Sequence, residues 1–318
     1  PHTLNGECYM DPGGYFIING SEKTCLGQER AAENKVQCFN IIKNNNKWKW
    51  LAEIKSIPDN KCISPKQISL YIATKNNGFG CSIYLHIPRI KIPIPVFIIF
   101  RALGVIEDKK ICEYIILDTE CEDEKSKKIL LSLKASIVEA NEYLTKEDAI
   151  NYITNYVMYT PLNMDKETGR KKKLEFTNNI LVEDLFPHCK TKEQQRYFLG
   201  YMTYRLISCS LGFIPPDDRD SYINKRIDLT GTLLNNLFRN YFNKLVKDMT
   251  KQILREINNG SWRAKEDYIS IINNTNIYKI IKSTTIENGL KRALATGDFG
   301  IKHTNSNKVG VAQVLNRL

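Results

Sequence analysis

The sequence lacks the short motifs that usually identify an enzyme or a metal protein. No C-x-x-C pair occurs among its nine cysteines, and among its four histidines only His188, next to Cys189, has a potential co-ligand nearby. Adjacent residues seldom converge on one metal without further ligands, so no metal site is expected. There is no G-x-x-x-x-G-K-S/T phosphate-binding loop and no definable pairing of a nucleophile with a base. We therefore expect no catalytic residue in the chain.

The sequence also lacks a secretory signal and any long apolar run. Its longest apolar stretch, Ile92 to Phe100, is too short to span a bilayer and contains Pro93 and Pro95. We therefore expect no membrane partner. The odd number of cysteines in a long chain argues against a disulfide framework, so reduced thiols and an intracellular location are predicted.

Composition and charge indicate a globular chain with a polyanionic partner. The 318 residues suggest two domains, and 42% hydrophobic with 25% charged residues is typical of a folded, soluble protein. The net charge of +11 favours nucleic acid first and an anionic membrane second, with a solvated lysine-rich surface as an equal alternative. Because the chain begins at Pro1 and ends directly after a motif, a fragment is expected.

Strand patterns dominate the first part of the chain. The Asn19-Gly20 pair predicts a hairpin within Tyr15–Cys25. Two further strands, over Gln67–Ala73 and Cys81–Ile87, are expected to pair through a turn at residues 76–78, and another strand is expected near residues 36–42. Strands early and helices later predict an α+β fold.

Helical patterns dominate the remainder. Pro95 is expected to start a short helix that Gly104 ends, and Thr145 should cap the start of another. Longer helices are predicted over residues 194–211 and 232–258. A capping box at Thr284–Glu287 is expected to begin the last helix. Residues 169–173 are predicted to form a basic surface loop.

The segment Asp217–Asp228 interleaves acids with Arg219, Lys225 and Arg226. From the residues alone, an ion-pair cluster that orients the start of the following helix is favoured. The alternative is a basic edge that faces nucleic acid. A metal site is disfavoured because the crowded cations would neutralise the carboxylates that a hard cation needs.

The polar segment from Asp298 to Gly310 contains Lys302 and Lys308 and almost no apolar anchor. It is either an ordinary exposed loop or a basic finger that lies against phosphates. Gln313 follows it between apolar residues, where a satisfied, half-buried amide is expected.

Several segments of the chain resemble the second-largest subunit of multisubunit DNA-dependent RNA polymerases. They are Gly13–Lys23, Pro93–Gly104, Phe198–Met202, Asp217–Arg226, Leu294–Gly300 and Gly310–Arg317. The resemblance covers nearly the whole chain and is strongest to eukaryotic and archaeal-type subunits. The abundance of Lys, Asn and Ile suits a large DNA virus, with a cellular source as the alternative.

The resemblance implies a discontinuous protrusion domain with an inserted, mixed α/β lobe domain and a helix-rich C-terminal half. Residues 1–51 would be the first part of the protrusion, 52–226 the lobe, 227–298 the second part of the protrusion and 299–318 the start of the fork.

The same resemblance implies a fragment that forms one side of the DNA cleft and guides DNA and the RNA–DNA hybrid during transcription. Nucleotidyl transfer would belong to the holoenzyme, and the fragment alone would be inactive. The residues implied to contact nucleic acid are Asn224, Lys225, Arg226, Lys302, Lys308, Gln313 and Arg317.

No cofactor is implied in the fragment, whereas Mg²⁺ and Zn²⁺ are expected in the complete enzyme. The implied partners are the largest and the smaller polymerase subunits, the DNA template and the RNA–DNA hybrid. The location would be the nucleus of a eukaryote, or the cytoplasm or virion of a virus. The competing hypotheses are a stand-alone basic nucleic-acid-binding module and an enzyme with an unrecognised Cys or Asp site.

Overall fold

The chain divides into two compact units, of which one is continuous in sequence and the other combines two separate segments. One unit combines residues 1–30 with residues 225–318, and the other comprises residues 31–224. The computed structural model describes residues 4, 6, 8–11, 13–42, 46–58, 65–118, 123–160, 165–260 and 271–299, and the backbone of residues 311–313.

The described residues form a mixture of strands and helices, consistent with the predicted α+β class. The strands are β1 Phe16–Ile18, β2 Ser21–Cys25, β3 Gln28–Ala31, β4 Gln37–Asn40, β5 Trp48–Ser56, β6 Lys66–Asn76, β7 Cys81–His86, β8 Ile94–Pro95, β9 Lys225–Asp228 and β10 Val311–Gln313. The helices are α1 Val96–Ala102, α2 Asp108–Ile116, α3 Glu124–Ala140, α4 Lys146–Asn155, α5 Lys166–Glu183, α6 Lys192–Ser210, α7 Thr230–Asn259, α8 Ile277–Ile280 and α9 Thr284–Thr296.

The unit of residues 31–224 is built on a five-stranded antiparallel sheet with the order β4-β5-β6-β7-β8. The predicted β6–β7 hairpin is confirmed, with Leu70 opposite Leu85. The alternating pattern of β7 holds for Ile83 and Leu85, which are buried. Ser82 is buried as well, because α3 covers this face and the carbonyl oxygen of Ala135 accepts a hydrogen bond from its hydroxyl group.

Helices of the same unit pack closely around this sheet. Pro95 precedes α1 and Gly104, with φ of 96°, follows it, as predicted. Gly200 allows α6 to approach α2, since a Cβ atom at this position would lie 1.9 Å from the carbonyl oxygen of Tyr114. This close approach gives a physical reason for glycine within the Phe198–Met202 motif.

The unit of residues 1–30 and 225–318 combines a small sheet with long helices. The predicted hairpin is confirmed, because β1 and β2 pair through Asn19 and Gly20, both with positive φ. Helix α7 ends at Gly260 in the left-handed conformation, as expected. It packs against α9 at Gly289, where a Cβ atom would lie 2.4 Å from the ring of Tyr241.

Several predicted local features are wrong. Residues 169–173 lie inside helix α5, not in a loop. The capping box at Thr284 does not form, since Ser283 is the N-cap without a side-chain cap bond and Glu287 pairs with Lys291.

The predicted and observed divisions of the chain fall at different residues. The predicted first segment extends to residue 51, whereas the first compact unit ends at Arg30. Residues 31–51 belong to the sheet unit because β4 and β5 form one antiparallel ladder, with Cys38 opposite Ala52.

In the ranges that the structure describes, no helix has both the length and the apolar character needed to cross a membrane.

Candidate nucleic-acid interface

The first part of the predicted interface, Asp217–Asp228, is anchored by Asp217. Its carboxylate accepts a hydrogen bond of 2.8 Å from the backbone N–H of Cys38 and pairs with the Arg205 guanidinium at 3.0 Å. Arg205 also donates to the carbonyl oxygen of Val36. The start of the motif is thereby tied to the beginning of strand β4. Sequence reasoning missed Arg205, because no local signal connects it with an acid twelve residues later.

Arg219 adds a second anchor to the same sheet. Its guanidinium carbon lies 4.0 Å from the ring centroid of Phe39, and it pairs with Glu53 at 3.1 Å. An arginine over an aromatic face gains attraction from the ring quadrupole as well as from the carboxylate. This cation therefore already has partners within its own unit.

Asn224 ends the 3-10 turn Tyr222–Asn224 and is almost completely buried. Only 5% of its surface is exposed, and its amide donates a 2.7 Å hydrogen bond to the carbonyl oxygen of Asp218. Its own carbonyl oxygen accepts from the backbone of Ala32. These contacts describe a residue that closes the turn, and a contact between Asn224 and nucleic acid stays a prediction.

Strand β9 follows and carries the two predicted cations of this segment. Lys225 is partly buried and pairs with Glu29 at 2.8 Å, whereas Arg226 is exposed. The carboxylate of Asp228 pairs with Arg30 at 2.7 Å. The ion-pair cluster favoured from the residues alone is therefore present. Arg226 is exposed, and its guanidinium donates to the carbonyl oxygen of Lys225.

The second part of the predicted interface lies on strand β10. Its backbone pairs with β2, with Gln313 opposite Lys23 and Ala312 opposite Thr24. Two motifs from opposite ends of the sequence, Gly13–Lys23 and Gly310–Arg317, are thus brought into one three-stranded sheet. The side chain of Gln313 and the whole of Lys302, Lys308 and Arg317 lie outside the described residues.

The Leu294–Gly300 motif ends helix α9 and fixes where the chain leaves it. Gly297 takes the left-handed conformation with φ of 73°, and Asp298 pairs with Arg292 of the preceding turn. Phe299 is 8% exposed and belongs to the core cluster of Leu237. The start of the predicted basic finger is therefore held by a buried ring.

Burial makes three of the described cysteines poor nucleophiles. The seven described cysteines are all free thiols. Burial raises the pKa of Cys112 to about 11 and that of Cys189 to about 11, and burial followed by the proximity of Cys209 raises that of Cys38 still further. A nucleophilic cysteine instead needs a lowered pKa, because the thiolate is the reactive form.

Comparison with known proteins decides the family. A family model for RNA polymerase Rpb2, domain 2, matches residues 32–228. The chain belongs to the RNA polymerase Rpb2 family. The matched range nearly coincides with the compact unit of residues 31–224. The resemblance inferred from the motifs is thus confirmed.

Similarity to members of the Rpb2 family extends over almost the entire chain. It is 36% identical to DNA-directed RNA polymerase II subunit 2 of Arabidopsis thaliana over 99% of this chain and 25% of that protein. It is 38% identical to the corresponding subunit RPB2 of Schizosaccharomyces pombe over 99% of this chain and 24% of that protein. Identity to DNA-directed RNA polymerase subunit 2 of Acanthamoeba polyphaga mimivirus is 31%, over 100% of this chain and 26% of that protein. The chain thus spans about a quarter of the length of these relatives.

Proposed function

We propose that this chain serves in the second-largest subunit of a DNA-directed RNA polymerase, where it forms one side of the DNA cleft and guides DNA and the RNA–DNA hybrid. The match of residues 32–228 to Rpb2 domain 2 is the main support for this proposal. The net charge of +11 supports it, because cations along a cleft supply affinity for phosphates without reading sequence. Nucleotidyl transfer itself would be the work of the holoenzyme.

The proposed domain names follow the order of the motifs. Residues from both ends of the chain would form the discontinuous protrusion, up to residue 298, and residues 299–318 would begin the fork. We put the start of the inserted lobe near residue 31 instead of residue 52. Support for this shift comes from the compact unit of residues 31–224 and from the family match that begins at residue 32.

Within this arrangement, the described contacts suggest different roles for the predicted residues. Asn224 and Lys225 would position the segment, since Asn224 is buried, Lys225 is partly buried and both are bonded within the chain. Arg226, exposed on β9, would contact phosphate. Lys302, Lys308 and Arg317 would track phosphates of the hybrid, and Gln313 would contact RNA backbone or sugar groups without choosing a base.

The proposed role involves no metal bound by the described residues. Among them, no three His, Cys, Asp or Glu side chains converge as a metal ion requires. Asp217 and Asp228 each pair with an arginine, which further disfavours a hard cation there. The described residues therefore do not fit Mg²⁺ or Zn²⁺, and those ions of the complete enzyme would be held elsewhere.

The partners follow from the proposed assembly. They are the largest polymerase subunit, the smaller subunits, the DNA template and the RNA–DNA hybrid. The location would be the nucleus for a cellular eukaryotic source and the cytoplasm or virion for a viral source.

A stand-alone basic nucleic-acid-binding module is the second candidate, and the net charge of +11 favours it equally well. The native gene separates the two functions. A reading frame that continues for many hundreds of codons beyond Leu318 supports the polymerase subunit. A frame that stops at Leu318 supports the independent module.

The role of Arg226 can be tested in the assembled polymerase that contains this chain. We expect Arg226→Gln to weaken DNA binding without changing sequence preference, and to reduce the slope of log K against log salt by about one unit. The measurement is a fluorescence anisotropy titration with duplex DNA at several salt concentrations. Lys172→Gln is the control, because Lys172 is also exposed but lies on α5. An unchanged slope for Arg226→Gln would refute the contact.

Gln313 provides a separate test in the same assembled enzyme. Under the proposal, Gln313→Ala leaves folding intact and increases abortive or paused transcripts, at a cost of about 1–2 kcal/mol for one lost hydrogen bond. Transcript lengths on a defined template and the melting temperature are measured together. A lower melting temperature with normal transcript lengths would assign Gln313 a structural role.

A further inference from the structure

A small cavity between helices α7 and α8 is surrounded mainly by cations. Its volume is about 230 Å³, and its lining includes Lys251, Arg255, Lys279 and Lys282. Asp248 is the acid among its lining residues. All of these residues belong to the unit that contains the two chain ends, and they are separate from strands β9 and β10.

The four cations converge because of where two elements meet. Lys251 and Arg255 are four residues apart and therefore share one face of α7. Lys279 lies in α8 and Lys282 just after it, on the segment that packs against α7. Throughout the described ranges, none of the four has an ion-pair partner, in contrast to Lys291, which is bound to Glu287.

Among the described residues, this arrangement concentrates positive charge around the cavity. Like charges at a spacing of four residues destabilise a helix, and two further cations are added from the neighbouring segment. One carboxylate, Asp248, opposes four positive side chains around the same cavity. An anion in the cavity would relieve this repulsion and would be held by all four charges at once.

The lining chemistry selects a phosphate group among anions. Lysines act as mobile point charges for phosphate, and the arginine fork donates two parallel hydrogen bonds to its oxygens. The amide of Gln252 adds a neutral donor, and Leu245 and buried Ile280 complete the wall. At about 230 Å³ the cavity is smaller than the space that a drug-sized ligand needs, so it suits a phosphate or pyrophosphate group and not a base.

We propose that the α7–α8 cavity is a phosphate-binding site. The phosphate comes either from the backbone of a nucleic acid or from a free anion such as pyrophosphate, and the chemistry of the site is the same in both cases. The site does not depend on the proposed role in a polymerase, because its argument rests on the cavity and its charges alone.

The test compares two charge-matched variants of the purified chain. Lys251→Gln/Arg255→Gln removes two cations from the cavity. Lys244→Gln/Lys247→Gln removes two exposed cations from the same helix that do not line it. Circular dichroism checks that both variants fold, and Lys279→Gln provides a single change on the other wall should the first variant not fold.

Two ligands distinguish the source of the phosphate. Isothermal titration calorimetry with pyrophosphate is expected to show a loss of affinity of about tenfold for the cavity variant and little change for the control, since charge-assisted hydrogen bonds are removed only in the former. Binding of duplex DNA should lose about one unit of salt slope for each phosphate contact removed.

A loss in the DNA titration assigns the site to nucleic-acid phosphates, and a loss with pyrophosphate alone assigns it to a free anion. The proposal is overturned if the cavity variant and the control bind both ligands equally. It is also overturned if the unaltered chain binds neither.

Discussion

Arg101 is a buried charge whose removal should destabilise the chain. Its side chain is 1% exposed, although it lies in the otherwise apolar helix α1. One terminal nitrogen of its guanidinium donates to the carbonyl oxygens of Ala140 and Tyr143, and the other donates to Asp108 at 2.7 Å. Arg101 therefore supports the C-terminal end of helix α3, where the backbone N–H of Tyr143 also donates to the carbonyl oxygen of Ala140.

The expected magnitude follows from these three hydrogen bonds. Arg101→Leu removes the described donor of the Tyr143 carbonyl oxygen, one of two donors to the Ala140 carbonyl oxygen and the partner of Asp108, so we expect a loss of about 3 kcal/mol of unfolding free energy. The carboxylate of Asp108 is 37% exposed and can be hydrated. Asp108→Asn should therefore cost only about 1 kcal/mol. Arg101→Lys should fall between them, because an ammonium group cannot reproduce the planar fork.

Urea unfolding followed by circular dichroism measures these differences in the purified chain. The chain has two compact units, so the transition that contains α1 and α3 must be identified first, with the tryptophans of β5 as the fluorescent probe. The reasoning is refuted if Arg101→Leu costs no more than Asp108→Asn. That result would mean that the buried guanidinium is as dispensable as a surface ion pair.

Two further predictions concern packing and thiol reactivity. Gly200→Ala puts a methyl group against the backbone of Tyr114, so we expect a loss of about 2 kcal/mol or more of unfolding free energy, measured with urea. Gly231→Ala, with no neighbour within 4 Å, should change the unfolding free energy by less than about 1 kcal/mol. A similar loss for both would contradict the close approach. At pH 8, iodoacetamide should modify exposed Cys8 well before Cys112, because burial raises the pKa of Cys112 to about 11. Mass spectrometry of timed samples measures the order of modification, and a reversed order would contradict this prediction.

The features that could be predicted from sequence are those with a local physical cause. The Asn19-Gly20 turn needs two residues with positive φ, and this pair meets that need without long-range help. Pro95 and Gly104 bracket helix α1 for equally local reasons. The strands β6 and β7 carry enough buried β-branched and aliphatic residues to be recognised on either side of their turn.

The features that were missed depend on distant partners. Strand β3 has the sequence Gln-Glu-Arg-Ala, which carries no strand signal, and it forms only because β9 pairs with it from about two hundred residues later. Helix α5 begins with a polar, glycine-containing stretch whose first apolar residue is Leu174. This pattern predicts a loop, whereas Glu167 and Lys171 stabilise the start of the helix as an ion pair four residues apart.

The candidate interface shows why a cation in a motif does not by itself identify a nucleic-acid contact. In sequence, Lys225 and Arg226 are adjacent and equivalent. In the structure, Lys225 is partly buried and pairs with Glu29, whereas Arg226 is exposed. The acid that separates their roles lies almost two hundred residues away, and no local pattern could have supplied it. The same reasoning applies to the α7–α8 cavity. Its cations are unremarkable along the chain, and only the folding of Lys279 and Lys282 against α7 turns them into one cluster.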